Sequence, residues 1–178
     1  MPRNPSIEPP LFTGQLKGTP LGNFWLAVSE LGLAAVHWAD SQADLEAYLG
    51  KRFHRPSQMD EQKTSEAARQ IKEYLAGKRR EFTLPIDWLL LRPFQREVLT
   101  ITFAIPYGET RTYGEIAHTI GKPHAARAVG RAQATNPMPL VIPCHRVIGA
   151  DGKLHGYGAG NGLPTKEWLL KMEGAVMA

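Results

Sequence analysis

The sequence predicts an α+β protein in two parts: a small N-terminal α/β unit followed by a mainly helical C-terminal domain of helix-turn-helix type. Three observations carry that prediction. Two runs rich in aromatic and β-branched residues, Asn23–Val28 and Leu31–Trp38, read as a pair of strands. From Pro93 onward the texture changes to helical periodicity broken by short loops containing glycine and proline. In that second half, two short helical stretches flank Gly121-Lys122-Pro123, the arrangement of a helix-turn-helix.

The elements follow in chain order. Residues 1–10 are rich in proline and polar groups and are expected to form a loose arm. The two strands turn at Ser29-Glu30. Asp40 or Ser41 then caps a helix running to about Phe53, with Leu45, Tyr48 and Leu49 on one face. The polar stretch from His54 to Lys63 reads as a loop. Thr64-Ser65-Glu66 opens a second helix, with Ala67, Ile71, Tyr74 and Leu75 at helical spacing and Gly77 as its stop. Glu81–Pro85 is a short strand or an extended link. Residues 1–88 thus form a support domain without a chemical motif of its own, and residues 89–178 form the second domain.

Pro93 suits the first turn of a helix carrying Phe94, Val98, Ile101 and Ile105 as one stripe, which Pro106-Tyr107-Gly108 ends. Thr112-Tyr113-Gly114-Glu115-Ile116-Ala117 begins the next helix, and a third runs from about His124 to Thr135. Leu140-Val141-Ile142 reads as a short buried strand, Asp151-Gly152 as a hairpin-type turn, and Thr165–Met172 as a last helix closed by Gly174.

Composition bounds the function. With 43% hydrophobic and 21% charged residues over 178 positions, the chain is ordinary globular protein rather than disordered. The formal net charge is +4, and from Ile86 onward ten Lys/Arg stand against seven Asp/Glu, which places +3 of it in the second half. A basic bias of this size fits a polyanionic partner without requiring one. The single cysteine excludes an internal disulfide and suits a reducing, cytoplasmic setting. Met1 to Lys17 holds no continuous apolar stretch of the secretory kind, and no run is long enough to span a bilayer. No membrane association is expected.

The chemistry concentrates at Pro143-Cys144-His145-Arg146. A free thiol has a pKa of roughly 8.5, so a nucleophilic cysteine needs a neighbour that takes its proton or stabilises the anion. His145 is adjacent, but on an extended chain the two side chains would face opposite ways, so they cooperate only through a turn or a bridging water. A buried, inert thiol and a structural histidine are the plain alternatives. Glu173 closes a helix, where the macrodipole disfavours negative charge unless a cation or donor such as a histidine is near; a solvated terminal glutamate is the alternative. The helix from His124 to Thr135 is almost bare, with Ala125, Ala126, Ala128, Gly130, Ala132 and Ala134, and with Arg127 and Arg131 four apart on one face. That suits close approach to a phosphate-bearing surface, and equally tight packing against a core.

Ile142-Pro143-Cys144-His145-Arg146-Val147 resembles the active-site signature of the O6-alkylguanine-DNA alkyltransferases, also called methylated-DNA–protein-cysteine methyltransferases. The likeness extends, in the family's order, through Pro93–Val98, Ile105–Gly108, Thr112–Ala117, Ala125–Gly130, Asn136-Pro137 and Lys166–Leu170, and covers nearly all of residues 90–174. The first half matches loosely, at Thr19-Pro20-Leu21-Gly22 and in its strand pattern. The resemblance implies a ribonuclease H-like first domain and a winged helix-turn-helix second domain. The partner it implies is double-stranded DNA carrying O6-alkylguanine, with O4-alkylthymine a further candidate. The protein would be a monomer in solution, able to bind cooperatively along DNA. The implied activity is direct-reversal repair in a single turnover: the target base flips out, and its alkyl group passes irreversibly to Cys144. No cofactor and no metal are implied.

The same resemblance assigns roles. His145 takes the thiol proton through a water, Glu173 orients the imidazole, Tyr113 donates to the departing base, and Asn136 ties the DNA-facing helix to the active-site turn. Arg127 enters the base stack in the minor groove, with Ala126, Ala128, Arg131, Thr112 and Tyr113 also at the DNA. Val147, Tyr157, Gly158, Ala159 and Pro139 line the pocket. Two departures stand out: the Tyr157–Lys166 loop is about two residues longer than the family pattern, and Gly158 stands where several members have serine. Proteins of the alkyltransferase-like group lack the nucleophile, so Cys144 separates this chain from them. A helix-turn-helix regulator or a cysteine hydrolase using Cys144, His145 and Glu173 would differ in sequence-specific binding or in turnover.

Overall fold

The fold was analysed in a computed structural model that describes residues 8–175. Residues 1–7, most of the expected arm, lie outside the described part. A four-stranded sheet in the order β3-β2-β1-β4 is built from β1 (Leu11–Thr19), β2 (Gly22–Ser29), β3 (Gly32–His37) and β4 (Ser57–Met59). The first three strands pair antiparallel and β4 joins β1 in parallel. Alternation along β2 sends Phe24 and Leu26 to one face and Trp25 and Ala27 to the other, so both faces are covered.

Helix α1 (Gln42–Phe53), capped by Ser41, lays Leu45 and Leu49 on the Trp25 face. Helix α2 (Glu61–Leu75) lies on the other face, with Ala67, Ile71, Tyr74 and Leu75 buried. It sits so close to β1 that a Cβ on Gly14 would run into the Thr64 side chain, which explains the glycine there.

The structure corrects the reading of this half in two places. His54–Lys63 is not all loop: it contains β4, and α2 begins at Glu61 because the Asp60 carboxylate accepts from the Lys63 amide and caps it. Strand β1 lies at the centre of the sheet although its pattern is interrupted by Gly14, Gln15 and Lys17. Glu81–Pro85 is an extended link, and a single bridge at Ile86 lays its end beside Leu33 on β3.

The helical half comprises α3 (Pro93–Phe103), α4 (Tyr113–Thr119), α5 (Ala126–Ala134) and α6 (Leu163–Met172). Thr112 and Glu115 form a reciprocal capping box on α4. Val98, Ile116, Ala117, Val129 and Ala132 bury α3, α4 and α5 against one another. A two-rung parallel ladder joins β5 (Arg111–Thr112) to β6 (Val147–Ile148). Helix α6 starts at Leu163, two residues before the expected position, because Pro164 fits the first turn.

Leu140-Val141-Ile142 is fully buried but is not the expected strand. Prolines at 137, 139 and 143 remove donors from a ladder, Leu140 adopts a left-handed φ of 73°, and Ile142 donates back to the Met138 carbonyl at 2.9 Å. Asp151-Gly152 does turn, with Gly152 at φ 74°, but no hairpin strands flank it.

The largest core joins the two halves. Leu16, Phe24, Leu26 and Val36 of the sheet and Ile71 and Tyr74 of α2 pack with Leu99, Met138, Leu140, Ile142 and Leu169. The Val36 amide also donates to the Pro137 carbonyl at 2.9 Å. No helix among the described residues is long and apolar enough to cross a membrane.

Candidate active site

The segment that carries the thiol is a series of turns enforced by proline. After Pro143 the chain enters a single 3₁₀ turn, Cys144–Arg146, closed by the Arg146 amide donating to the Pro143 carbonyl at 2.9 Å. This turn removes the extended geometry that would have set the Cys144 and His145 side chains on opposite faces. Asn136 anchors the segment: its side-chain amide donates to the Ile142 carbonyl at 2.9 Å and its oxygen accepts from the Met138 amide at 2.9 Å.

The Cys144 thiol is 5% exposed, and burial pushes it up to about 11. The Asn136 side chain, the Lys166 ammonium and the amides of Cys144 and His145 oppose that rise without cancelling it. Only about one thiol in 10⁴ is ionised at neutral pH, so a base must act as the thiol reacts.

His145 is fully buried, and burial lowers it below the ordinary histidine range, the Glu173 carboxylate opposing only in part. Its Nε2 lies 2.8 Å from Glu173 Oε1, whereas Nδ1 is buried with no hydrogen-bond partner among the described residues. A ring nitrogen facing a carboxylate carries the proton, so the lone pair resides on Nδ1.

Glu173 caps the C-terminal end of α6 and collects donors from three stretches of chain: α2, the Cys144–Arg146 turn and the loop at Gly108. Oε1 accepts from Tyr74 Oη at 2.5 Å, His145 Nε2 and Arg146 Nη2 at 2.8 Å. Oε2 accepts from Arg146 Nε at 2.9 Å and the Gly108 amide at 3.3 Å. Burial alone would raise this carboxyl, but the bonds from His145 and Arg146 outweigh it and hold it well below the usual carboxylate range. The unfavourable position at a helix C-terminus is thus offset by a buried bidentate arginine.

A cleft opens over Cys144. It is lined by Asn136, Pro139, Gly158 and Ala159 of the second half and by Val36, His37, Trp38 and Tyr48 of the first. The His37 and Tyr48 rings stack at 3.9 Å and 7°. A Cβ on Gly158 would lie 2.7 Å from the Ala134 carbonyl oxygen, so glycine lets this loop rest directly on the end of α5. The chain is matched over residues 15–88 by the 6-O-methylguanine DNA methyltransferase, ribonuclease-like domain, and over residues 93–175 by the DNA-binding domain of the same proteins. It is 43% identical over 165 residues to the methylated-DNA–protein-cysteine methyltransferase of Methanosarcina acetivorans, covering 88% of this chain and 95% of that one.

The chain belongs to the 6-O-methylguanine DNA methyltransferase family.

The constitutive methyltransferase of Bacillus subtilis is 38% identical over 160 residues, covering 87% and 91% of the two chains. Mycobacterium tuberculosis OGT, solved in complex with DNA, superposes with a TM-score of 0.73 at 38% identity, covering 92% of each chain. In this member of the 6-O-methylguanine DNA methyltransferase family, the residues singled out in the sequence fall partly at the cleft and partly on the exposed face of α5. Cys144, Asn136, Pro139, Gly158 and Ala159 share the cleft, whereas the paired His145 and Glu173 are buried and do not line it. The Tyr113 ring packs over Gly130, and its hydroxyl is raised by burial and then by the nearby Cys144. Tyr157 Oη is buried without a partner among the described residues. The Val147 carbonyl, expected to face the base, accepts from Lys166 Nζ at 2.6 Å. Arg127 and Arg131 are exposed on α5, and Ala126 and Ala128 are half-buried beside them. Thr112 spends its hydroxyl oxygen accepting from the Glu115 amide in the cap.

Sequence reasoning missed four contributors. Arg146 stood in the quoted motif without a role. Tyr74 was read as a core residue at helical spacing. Lys166 is buried and lowered to about 8 by desolvation, with the Cys144 thiol opposing. The His37–Tyr48 wall carries no motif. Only Arg146 had a usable signal, since a glutamate at a helix C-terminus calls for a cation.

Proposed function

We propose that this protein repairs alkylated DNA by taking the alkyl group from O6 of guanine onto Cys144, once and irreversibly. The observation that carries the reading is a buried thiol next in the chain to a buried histidine, whose Nε2 lies 2.8 Å from the Glu173 carboxylate and whose Nδ1 has no hydrogen-bond partner among the described residues. In the reaction the thiol proton passes towards Nδ1, directly or through a water. The sulfur attacks the alkyl carbon, the carbon–O6 bond breaks, and a thioether forms. The electron pair leaves with the guanine, and the Tyr113 hydroxyl offers it a hydrogen bond or proton. A neutral resting thiol suits a reagent that can be used only once, because it stays unreactive until base and substrate meet.

On this reading the labour divides between residues 1–88, which brace the site, and residues 89–178, which bind DNA and react. Helix α5 is the DNA-facing element. Its small residues allow close approach in a narrow groove, and the side chains of Arg127 and Arg131 make no hydrogen bond or ion pair with described residues. A stacked base hides O6 from in-line attack, so the nucleotide leaves the helix to reach the cleft, with Arg127 entering behind it and Tyr157 and the Val147 carbonyl bordering the base. Double-stranded DNA carrying O6-alkylguanine is the partner, bound by a monomer in the cytoplasm.

The test is intact-protein mass after incubation with an O6-methylguanine oligonucleotide. Wild type is expected to gain one methylene mass per molecule, on the Cys144 peptide, and Cys144→Ser to gain none. An unchanged wild-type mass would reject the reading. Arg127→Ala is expected to slow repair of duplex DNA about tenfold or more while sparing reaction with free O6-benzylguanine; equal losses on both would make Arg127 a fold residue.

A further inference from the structure

We infer that Tyr74, on helix α2 of the N-terminal half, is a positioning residue for alkyl transfer: its hydroxyl fixes the Glu173–His145 pair so that the proton stays on Nε2 and Nδ1 remains the base. The inference rests on the alkyl-transfer reading and adds to it a residue from outside the half that carries the chemistry.

Tyr74 is fully buried, and its ring is held by Phe82 at 5.2 Å and by Tyr107 edge-on at 6.2 Å. Its hydroxyl meets two polar atoms, Glu173 Oε1 at 2.5 Å and His145 Nε2 at 3.2 Å. A phenol has one proton to give, and the shorter contact, to a carboxylate, takes it. The hydroxyl oxygen is then left facing Nε2 as an acceptor. Nε2 therefore meets two acceptors and no donor, and a proton moved to Nδ1 would leave its lone pair against both. Core packing needs only the ring; the hydroxyl, placed 99 residues from its carboxylate partner in sequence, is what the geometry adds.

The charged and titratable groups facing His145 are Glu173 and Lys166 from α6, Arg146 from its own turn and Tyr74 from α2. Of the hydroxyl's two contacts the one to Glu173 is shorter, so its loss acts mainly through the carboxylate. Without that donor Glu173 holds its charge less well dispersed, and His145 becomes easier to protonate.

The experiment is single-turnover transfer from free O6-benzylguanine as a function of pH, with wild type and Tyr74→Phe, alongside urea unfolding of both. Tyr74→Phe is expected to react about tenfold more slowly at neutral pH. The acid limb of its profile should lie about half a unit or more higher. An unmoved limb, whether the rate is unchanged or falls with stability, would make the hydroxyl merely structural and overturn the inference. Should Tyr74→Phe fail to fold, the ring ¹⁵N shifts of His145 in wild type decide: a protonated Nε2 and a bare Nδ1 support it, and the opposite tautomer overturns it. Failure of wild type itself to react with either alkylated DNA or O6-benzylguanine would instead sink the functional reading.

Discussion

Glu173 is a carboxylate that water does not solvate; five donors from protein take water's place. Its partner Arg146 is 5% exposed, so removing the negative charge strands a buried guanidinium. Glu173→Gln is therefore expected to cost about 3–5 kcal/mol in urea unfolding. The pH dependence follows from the direction of the shift. Folding lowers this carboxyl, so the stability it contributes is complete above its unfolded value of about 4.3 and is lost as pH falls below that. Wild type should weaken progressively below about pH 5, and the Gln variant should show a flatter acid slope; parallel slopes would contradict the assignment. At this scale the sequence was legible where a motif stood. Cys144 and His145 were singled out from the motif, and Glu173 from its awkward place at a helix end. Tyr74 was illegible because helical spacing accounts for its ring, and nothing local announces a hydroxyl whose partner arrives from the far end of the chain.

Among the elements, legibility followed the strength of the local signal. The aromatic strands β2 and β3 and the capped helix α4 lie where their patterns put them. β1 escaped notice because Gly14, Gln15 and Lys17 interrupt its alternation, and its reason for being central is tertiary: α2 settles into the space Gly14 leaves. The hydrophobic run at 140–142 misled for the opposite reason, since burial is compatible with a strand but three flanking prolines are not. The close seat of α2 makes its own prediction. Gly14→Ala should destabilise by about 1–3 kcal/mol through overpacking, and Thr64→Ala in the same chain should recover part of that loss in a double-mutant cycle. Additive losses would mean that the two sites do not touch.

Over the whole molecule, the two halves share one core. Tyr74 and Ile71 of α2 meet Leu140, Ile142 and Leu169 in the same cluster that holds the sheet residues Phe24 and Leu26. Tryptophan fluorescence, reporting on Trp25, Trp38, Trp88 and Trp168, and far-ultraviolet circular dichroism should accordingly give one coincident unfolding midpoint. Two separated midpoints would show that the halves melt independently. The two-part organisation could be read from the change of texture at Pro93, but this union could not, because a shared core is written in contacts between distant residues. The β5–β6 ladder has a mechanical meaning in this frame. It bolts the start of α4 to Val147, as Asn136 bolts the end of α5 to Ile142, so the turn bearing the thiol hangs between two struts from the helix-turn-helix. On the proposed reading, such a truss ties the DNA-facing helices to the reacting thiol at both ends. On the same reading, the distance a flipped base travels is then set by the protein, and DNA whose pairing is already weak should yield its base most readily.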